Sequence, residues 1–159
     1  MAKTRELNVD GVKLGGNNPV VVQSMLNASP DDAVANLAQI DELVVAGCEL
    51  IRMTVPRLDC IPAFAEVCKK SPIPVVADIH FRHEIAIESI KAGAAKIRIN
   101  PGNIGGLEKT AEVLQVAKDY GVPVRIGVNA GSLDKDLEAR EDLSLPQKLS
   151  KSAIDYVEY

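Results

Sequence analysis

The stretch KIRINPGNIG, residues 96–105, decides the fold of this 159-residue chain. Its isoleucines alternate with Arg98 and Asn100, which is the two-residue period of a β-strand with one apolar face and one polar face. A Pro-Gly pair then ends the strand, and a glycine-rich turn leads into a helical pattern. Parallel α/β proteins bind their ligands where polar strand ends meet such loops. The stretch therefore predicts a strand whose Arg98 and Asn100 face a ligand.

Four further units of the same kind flank this one along the chain. The predicted strands begin near residues 20, 50, 74, 96 and 123, which is a repeat of about 26 residues. The other four strands are predicted over residues 20–25, 50–55, 74–79 and 123–128. Strands that alternate with helices of this size form a parallel sheet with right-handed crossovers.

Capping residues and glycines predict the limits of the intervening helices. Ser29 and Pro30 are predicted to begin the first helix, because serine is a favoured cap and proline is tolerated in the first turn. Gly47 is predicted to end it. The remaining helices are predicted to begin at Pro62, to run near residues 84–92 and 107–120, and to begin at Ser144 and Pro146.

The N-terminal residues, 1–18, are predicted to form a unit of their own. Two short polar–apolar alternations flank the dipeptide Asp10-Gly11, which is a strong signal for a tight β-hairpin turn. We expect an N-terminal hairpin over residues 1–18 and the strand–helix units over residues 19–159.

Polar residues at nearly every strand end distinguish two architectures. An open doubly wound sheet collects its ligand groups near one switch point, whereas a barrel collects them from many strands. The second pattern is the one present, and within each strand the polar residues share a face. They are Gln23, Arg52 with Thr54, Asp78 with His80, Arg98 with Asn100, and Arg125 with Asn129. Because a closed (β/α)8 barrel needs eight units and about 250 residues, the five units predict an α/β fold that forms the front part of a TIM-type barrel.

Three arginines on the predicted inner face indicate an anionic ligand. A single arginine there could pack its stem and pair with a carboxylate such as Asp78. Three of them, Arg52, Arg98 and Arg125, favour a polyanion, because guanidinium groups bind phosphate oxygens in a two-pronged manner.

Neighbouring groups extend this hypothesis. Residues 102–106 would present backbone amides at a helix start, which is a second anion-binding feature. Asn100 and Asn129 would orient the ligand, and His80 could donate a hydrogen bond or a proton. His83 is expected to be an exposed residue at the start of a helix.

Composition excludes several classes of function. A net charge of −4 and 3% aromatic residues give no reason to expect nucleic acid or an anionic membrane as a partner. No signal peptide or membrane span is evident, so a cytoplasmic location is expected. The cysteines, Cys48, Cys60 and Cys68, have neither zinc-site nor Cys-x-x-Cys spacing, and we expect buried free thiols and no metal site.

Four motifs carry a resemblance to a known family. VVVQSM (20–25), VADIHF (76–81), RINPGNIG (98–105) and RIGVNAGSL (125–133) resemble the N-terminal barrel of the 4-hydroxy-3-methylbut-2-enyl diphosphate synthases. The likeness extends from about residue 4 to residue 159. The resemblance implies an iron–sulfur oxidoreductase of the non-mevalonate isoprenoid pathway, which opens the ring of 2-C-methyl-D-erythritol 2,4-cyclodiphosphate by reductive dehydration.

The resemblance also implies residue roles and partners. Positions matching the family's substrate-binding residues are Arg52, His80, Arg98, Asn100, Arg125 and Asn129. Flavodoxin or ferredoxin would donate electrons, and the full-length protein would be a homodimer. The family's 4Fe-4S cluster is held by three cysteines and a glutamate in a C-terminal domain that has no match in this sequence, so this chain alone is expected to bind no cluster and to be inactive.

Two other hypotheses fit the same residues. One is a non-catalytic half-barrel module that binds phosphate esters or assembles with another chain. The other is a different phosphate-binding TIM-barrel enzyme, similar to a pteroate synthase.

Overall fold

The structure, a computed structural model, describes residues 4–158 and consists of a hairpin followed by a parallel sheet. The outer limits of the two predicted units, residues 1 and 159, lie outside the described residues. Strands β1 and β2 pair antiparallel, and β3 to β7 form one five-stranded parallel sheet in chain order. The strands are β1 Leu7–Val9, β2 Val12–Leu14, β3 Gln23–Met25, β4 Leu50–Thr54, β5 Val75–Ile79, β6 Lys96–Ile99 and β7 Val124–Ile126.

The predicted α/β architecture and the N-terminal hairpin are confirmed, although the two outer strands are shorter than predicted. Of residues 20–25 only Gln23–Met25 is strand, and of residues 123–128 only Val124–Ile126. Both strands lie at the edges of the sheet, so each has a hydrogen-bonding partner on one side alone. Edge strands in natural proteins are often short. Val20, which precedes β3, is 93% exposed.

Helices follow each parallel strand and cover one face of the sheet. They are α1 Ala33–Val45, α2 Ile61–Lys70, α3 His83–Lys91, α4 Pro101–Ile104, α5 Gly106–Tyr120, α6 Lys135–Glu138 and α7 Leu145–Glu158. Buried side chains of the sheet, such as Ile79, Ile97 and Ile99, pack against the helices in the main hydrophobic core. The apolar face that the isoleucine alternation predicted is therefore the face toward the helices.

The predicted start of the first helix at Ser29 and Pro30 is wrong. Helix α1 begins at Ala33, and its cap is Asp32, whose carboxylate accepts the N–H of Ala35 at 2.9 Å. Ser29 instead bonds through its hydroxyl to Asp31, and its carbonyl accepts the N–H of Asp32. The Ser29–Asp32 segment is thus a turn, because its polar groups satisfy one another locally.

The glycine-rich stretch after β6 is also more regular than predicted. Pro101–Ile104 is a helical turn, and Gly105, with a φ of 115°, separates it from α5. The N–H groups of Asn103 and Ile104 donate back to the Asn100 carbonyl at 2.9 and 3.2 Å. Those two amides are used within the turn, which weakens the prediction of an anion-binding amide cradle at residues 102–106.

The hairpin closes the N-terminal end of the sheet. Val9 is fully buried and forms a separate apolar cluster with Leu50 and Val76, which lie at the beginnings of β4 and β5. Asp10 and Gly11, both with positive φ, make the predicted tight turn. The face opposite the helices therefore has an apolar floor at the strand starts, and its polar groups lie toward the strand ends.

The cysteines behave as small buried side chains. Cys48 and Cys60 are buried, Cys68 is half-buried, and all three are free thiols. Across residues 4–158, no helix combines the length and apolarity that crossing a membrane requires.

The open edges of the parallel sheet predict self-association of the 159-residue chain. Among the described strands, β3 and β7 each pair with one neighbour only, and Val20 and Val22 beside β3 are exposed. Because such edges pair with further strands, we expect oligomers by light scattering at micromolar concentrations. Val20→Lys should reduce the association, since charges block edge pairing.

Val45→Lys is the matched control, because Val45 is equally exposed but lies on helix α1. A stable monomer of the unmodified chain across the concentration range would contradict the prediction. Equal effects of the two substitutions would show that general surface charge, and not the sheet edge, controls association.

Candidate anion-binding site

Asp78 is the centre of the polar cluster on the inner face of the sheet. It lies near the end of β5 and has no exposed surface. Its Oδ2 accepts from Arg52 Nε and Nη2 at 3.1 and 3.0 Å, and its Oδ1 accepts from Arg98 Nη1 at 3.4 Å. Two guanidinium groups from the flanking strands therefore share one carboxylate.

The parallel register brings these side chains together. Asp78 is opposite Thr54 on β4 and opposite Arg98 on β6, while Arg98 is opposite Arg125 on β7. Residues opposite each other in a ladder point to the same face, so one sheet face carries the whole set. The prediction that these arginines share a face is consistent with the register.

The three arginines differ in their surroundings. The side chains of Arg52 and Arg98 are 25% and 14% exposed and pair with Asp78, as the alternative of a structural pair had proposed. Arg125 is exposed and is not part of that pairing. Because one carboxylate compensates only one positive charge, this face retains excess positive charge beside Arg125.

Lys96, which was not predicted as a site residue, adds to this charge. It is 9% exposed and lies two residues before Arg98, hence on the same face of β6. Burial lowers the pKa of the Lys96 amine, and the nearby Arg125 guanidinium lowers it further. The same two-residue alternation that identified Arg98 and Asn100 could have identified Lys96.

The two histidines have different environments. His80 Nε2 is 3.6 Å from Asp78 Oδ2, which is too long for a hydrogen bond, and the side chain is 36% exposed. His83 is not the exposed residue that was predicted: its side chain is 15% exposed. Its Nδ1 and Nε2 lie 3.2 and 3.3 Å from carboxylate oxygens of Glu84 and Glu112. His83 is thus half-buried between α3 and α5, and its two charged neighbours are glutamates of those helices.

Asn100 and Asn129 meet through Ser132. Asn100 is 1% exposed, and its Nδ2 donates to Ser132 Oγ at 2.9 Å. The Ser132 hydroxyl in turn donates to the Asn129 carbonyl at 3.1 Å. Because that hydroxyl has a single proton, Asn100 must direct its amide NH2 group toward Ser132. Its Oδ1 is then buried with no hydrogen-bond partner among residues 4–158.

The backbones of α4 and of the turn at Ser132 also approach each other closely. A Cβ on Gly102 would collide with the carbonyl oxygen of Ser132, so only glycine allows α4 and the Ser132 turn to approach this closely. Ser132 was not predicted to be a positioning residue. Its presence inside the RIGVNAGSL motif, next to Asn129, was the available signal.

A cavity of about 550 Å³ lies elsewhere, between the start of α5 and helices α6 and α7. It contains none of the predicted site residues, and its charged groups are partly paired with one another, as in the 3.1 Å contact of Lys151 with Asp155. Its charged lining is formed by Asp134, Asp136, Arg140, Lys151 and Asp155. The arginine cluster, formed by Arg52, Arg98 and Arg125, lies instead on the face of the sheet opposite the helices.

Comparison with known proteins separates sequence relatives from fold relatives. A protein from Maridesulfovibrio salexigens named 4-hydroxy-3-methylbut-2-en-1-yl diphosphate synthase (flavodoxin) is 48% identical over 98% of this chain, which covers 43% of that protein. One of the same name from Aquifex aeolicus is 47% identical, with 98% and 44% covered. The chain thus spans less than half the length of these curated relatives.

Solved structures show the same fold in other enzymes. Dihydropteroate synthase from Yersinia pestis superposes with a TM-score of 0.68 at 20% identity, covering 96% of this chain and 56% of that one. The enzyme from Vibrio fischeri has a TM-score of 0.61 at 18% identity, with 98% and 62% covered. At such identities the likeness establishes the fold alone.

The family assignment comes from the sequence. The profile of the GcpE TIM-barrel domain matches residues 4–159, nearly the whole chain. The parallel units, the motif-bearing strand ends and the two relatives agree with that match. The chain belongs to the GcpE TIM-barrel domain family.

Proposed function

We propose that this chain is the diphosphate-binding part of a 4-hydroxy-3-methylbut-2-en-1-yl diphosphate synthase. The observation that carries the proposal is the arginine cluster, in which Arg52 and Arg98 share Asp78 and Arg125 lies beside them. Family membership and the names of the relatives support the choice of a diphosphate as the anion. The substrate is then 2-C-methyl-D-erythritol 2,4-cyclodiphosphate, bound at the strand ends.

The division of the chain follows from the same proposal. Residues 19–159 form the first five units of a larger barrel, and residues 1–18 form its floor. The substrate enters from the opposite, C-terminal end of the strands, where barrel enzymes bind their ligands. A cytoplasmic location and a homodimeric full-length protein complete the proposal.

Each polar residue receives a role from its position. Arg52, Arg98 and Arg125 neutralise the diphosphate, because guanidinium groups form charge-assisted hydrogen bonds with phosphate oxygens. Asn100 and Asn129, which Ser132 joins, orient the sugar-derived portion of the ligand. His80, at the exposed side of Asp78, donates a hydrogen bond to the ligand.

The reaction attributed to the family is a reductive dehydration. The substrate loses water, accepts two electrons and opens its ring, and a 4Fe-4S cluster reduced by flavodoxin supplies the electrons when it is bound. The residues of this chain do not fit such a cluster: within residues 4–158, no three or more His, Cys, Asp or Glu side chains are grouped to hold a metal. The part of the protein that this chain represents binds and orients the substrate.

A pteroate-synthase-like activity has no support beyond the fold. The dihydropteroate synthases share 18–20% identity with the chain, and no sequence motif favours them. A non-catalytic module that binds phosphate esters would use the same arginine cluster. The ligand that binds most tightly therefore distinguishes such a module from the proposed synthase.

Arg98→Ala should weaken binding of the cyclic diphosphate. A charge-assisted hydrogen bond contributes roughly 1.5–3 kcal/mol, so we expect an affinity about tenfold to a hundredfold lower by calorimetry at one fixed salt concentration. Arg98→Lys should recover part of the affinity, because the lysine ammonium keeps the positive charge but lacks the planar, two-pronged geometry of the guanidinium.

Two control variants make the comparison specific. His83→Ala removes a residue that lies between Glu84 and Glu112, outside the arginine cluster. Arg5→Ala removes the same kind of charge from an exposed residue just before β1. Both should bind as the unmodified chain does. Unchanged affinity in folded Arg98→Ala would exclude ligand binding at this strand end.

The isolated chain should hold no iron–sulfur cluster after anaerobic reconstitution. Cluster ligands are thiolates, whereas Cys48 and Cys60 are buried and burial raises the pKa of Cys68 to about 12. We expect visible absorption, iron and sulfide to remain at background after gel filtration. A stable, stoichiometric cluster that co-elutes with the protein would contradict this expectation.

A further inference from the structure

Gly127 lies just beyond β7 on the inner face of the sheet, and its φ angle is not one that requires glycine. It is buried, and its N–H donates to the Ile99 carbonyl at 2.8 Å, which continues the β6–β7 ladder by one residue. Its φ lies outside the left-handed region that favours glycine. The φ angle alone therefore does not require glycine at this position. The requirement comes from the space that a side chain would occupy.

The space beside Gly127 is occupied by the head of Arg98. A Cβ on Gly127 would lie 2.8 Å from Arg98 Nη2 and 2.9 Å from Cζ, and closer still to Nε. In proteins a Cβ atom essentially never comes within 3.0 Å of a non-bonded heavy atom. The guanidinium therefore passes directly over the Gly127 backbone.

The other end of the same guanidinium reaches Asp78. Arg98 Nη1 is 3.4 Å from Asp78 Oδ1, a contact near the upper limit for a hydrogen bond. The Arg98 head is thus held between the carboxylate on β5 and the bare backbone after β7. A displacement away from Gly127 would change this contact first, because it is already long.

We propose that Gly127 is a positioning residue for Arg98: the absence of a side chain at 127 sets where the guanidinium is presented to an anion. A methyl group there would displace the end of a flexible side chain and leave the backbone in place. The cost should therefore appear in ligand binding and only slightly in stability. The effect on binding rests on the proposed function, whereas the position of Arg98 does not.

Gly127→Ala is the direct test, and Gly131→Ala is the matched control. A Cβ on Gly131 would lie 3.6 Å from Asn129 Oδ1, an ordinary contact, and Gly131 also has no positive φ. With inorganic pyrophosphate as the probe, we expect Gly127→Ala to bind about tenfold more weakly, which corresponds to one lost hydrogen bond. The midpoints of thermal unfolding of the two variants should be similar. Unchanged pyrophosphate affinity, or a large loss of stability with affinity retained, would overturn the proposal.

A double-mutant cycle identifies the route of the effect. If Gly127 acts through Arg98, then Gly127→Ala should have no further effect on pyrophosphate binding in a chain that already carries Arg98→Ala. Additive losses would mean that Gly127 acts otherwise and would overturn the proposal. If Gly127→Ala alone does not fold, recovery of folding in the double variant supports the predicted collision, and failure of both to fold overturns it.

The position of Arg98 can also be measured without a ligand. The Nε–H resonance of Arg98, assigned by its loss in Arg98→Lys, should shift in Gly127→Ala and remain in place in Gly131→Ala. An unshifted resonance in Gly127→Ala would overturn the proposal. If the unmodified chain does not bind pyrophosphate or the cyclic diphosphate, the proposed function fails, and this resonance still decides the role of Gly127.

Discussion

A carboxylate with no exposed surface, Asp78, constrains the inner face of the sheet. A buried charge is costly unless it is paired and hydrogen-bonded. The partners, Arg52 and Arg98, come from the two flanking strands and approach different oxygens of the carboxylate. The charge therefore connects three neighbouring strands in one register. Because both guanidinium groups remain partly exposed, the arrangement that stabilises the sheet also leaves donors available to an incoming anion.

Much of this fold can be predicted from the sequence because strand periodicity is local. The alternation in residues 96–99 identified both the apolar face and Arg98, and a helix stop such as Gly47 marked the spacing of the units. Membership of one polar face follows from parity within each strand. The meeting of Arg52 with Arg98 at Asp78 also needs the register between strands, and the sequence proposed that pairing only as an alternative to a ligand.

The errors and omissions arise where distant elements meet. His83 was expected to be exposed because its own helix start is polar, but Glu112 on α5 approaches it from the other side. Ser132 becomes important only when its turn packs on Gly102 and Asn100. The prediction of a helix start at Ser29 was wrong for a local reason. Serine, proline and two aspartates favour a tight turn as well as a helix start. The two edge strands are shorter than predicted because each pairs with a neighbouring strand on one side alone.

The apolar floor at Val9 has a consequence for how the molecule folds and opens. The hairpin forms from residues adjacent in the chain, yet it docks on Leu50 and Val76, which belong to two later strands. Local pairing is fast, whereas contacts between distant residues form after the intervening chain is ordered. We therefore expect docking of the hairpin to follow assembly of the sheet. Within the two described strands of the hairpin, Val9 is the one fully buried side chain. We therefore expect the hairpin to be among the elements that open locally while the parallel sheet stays intact.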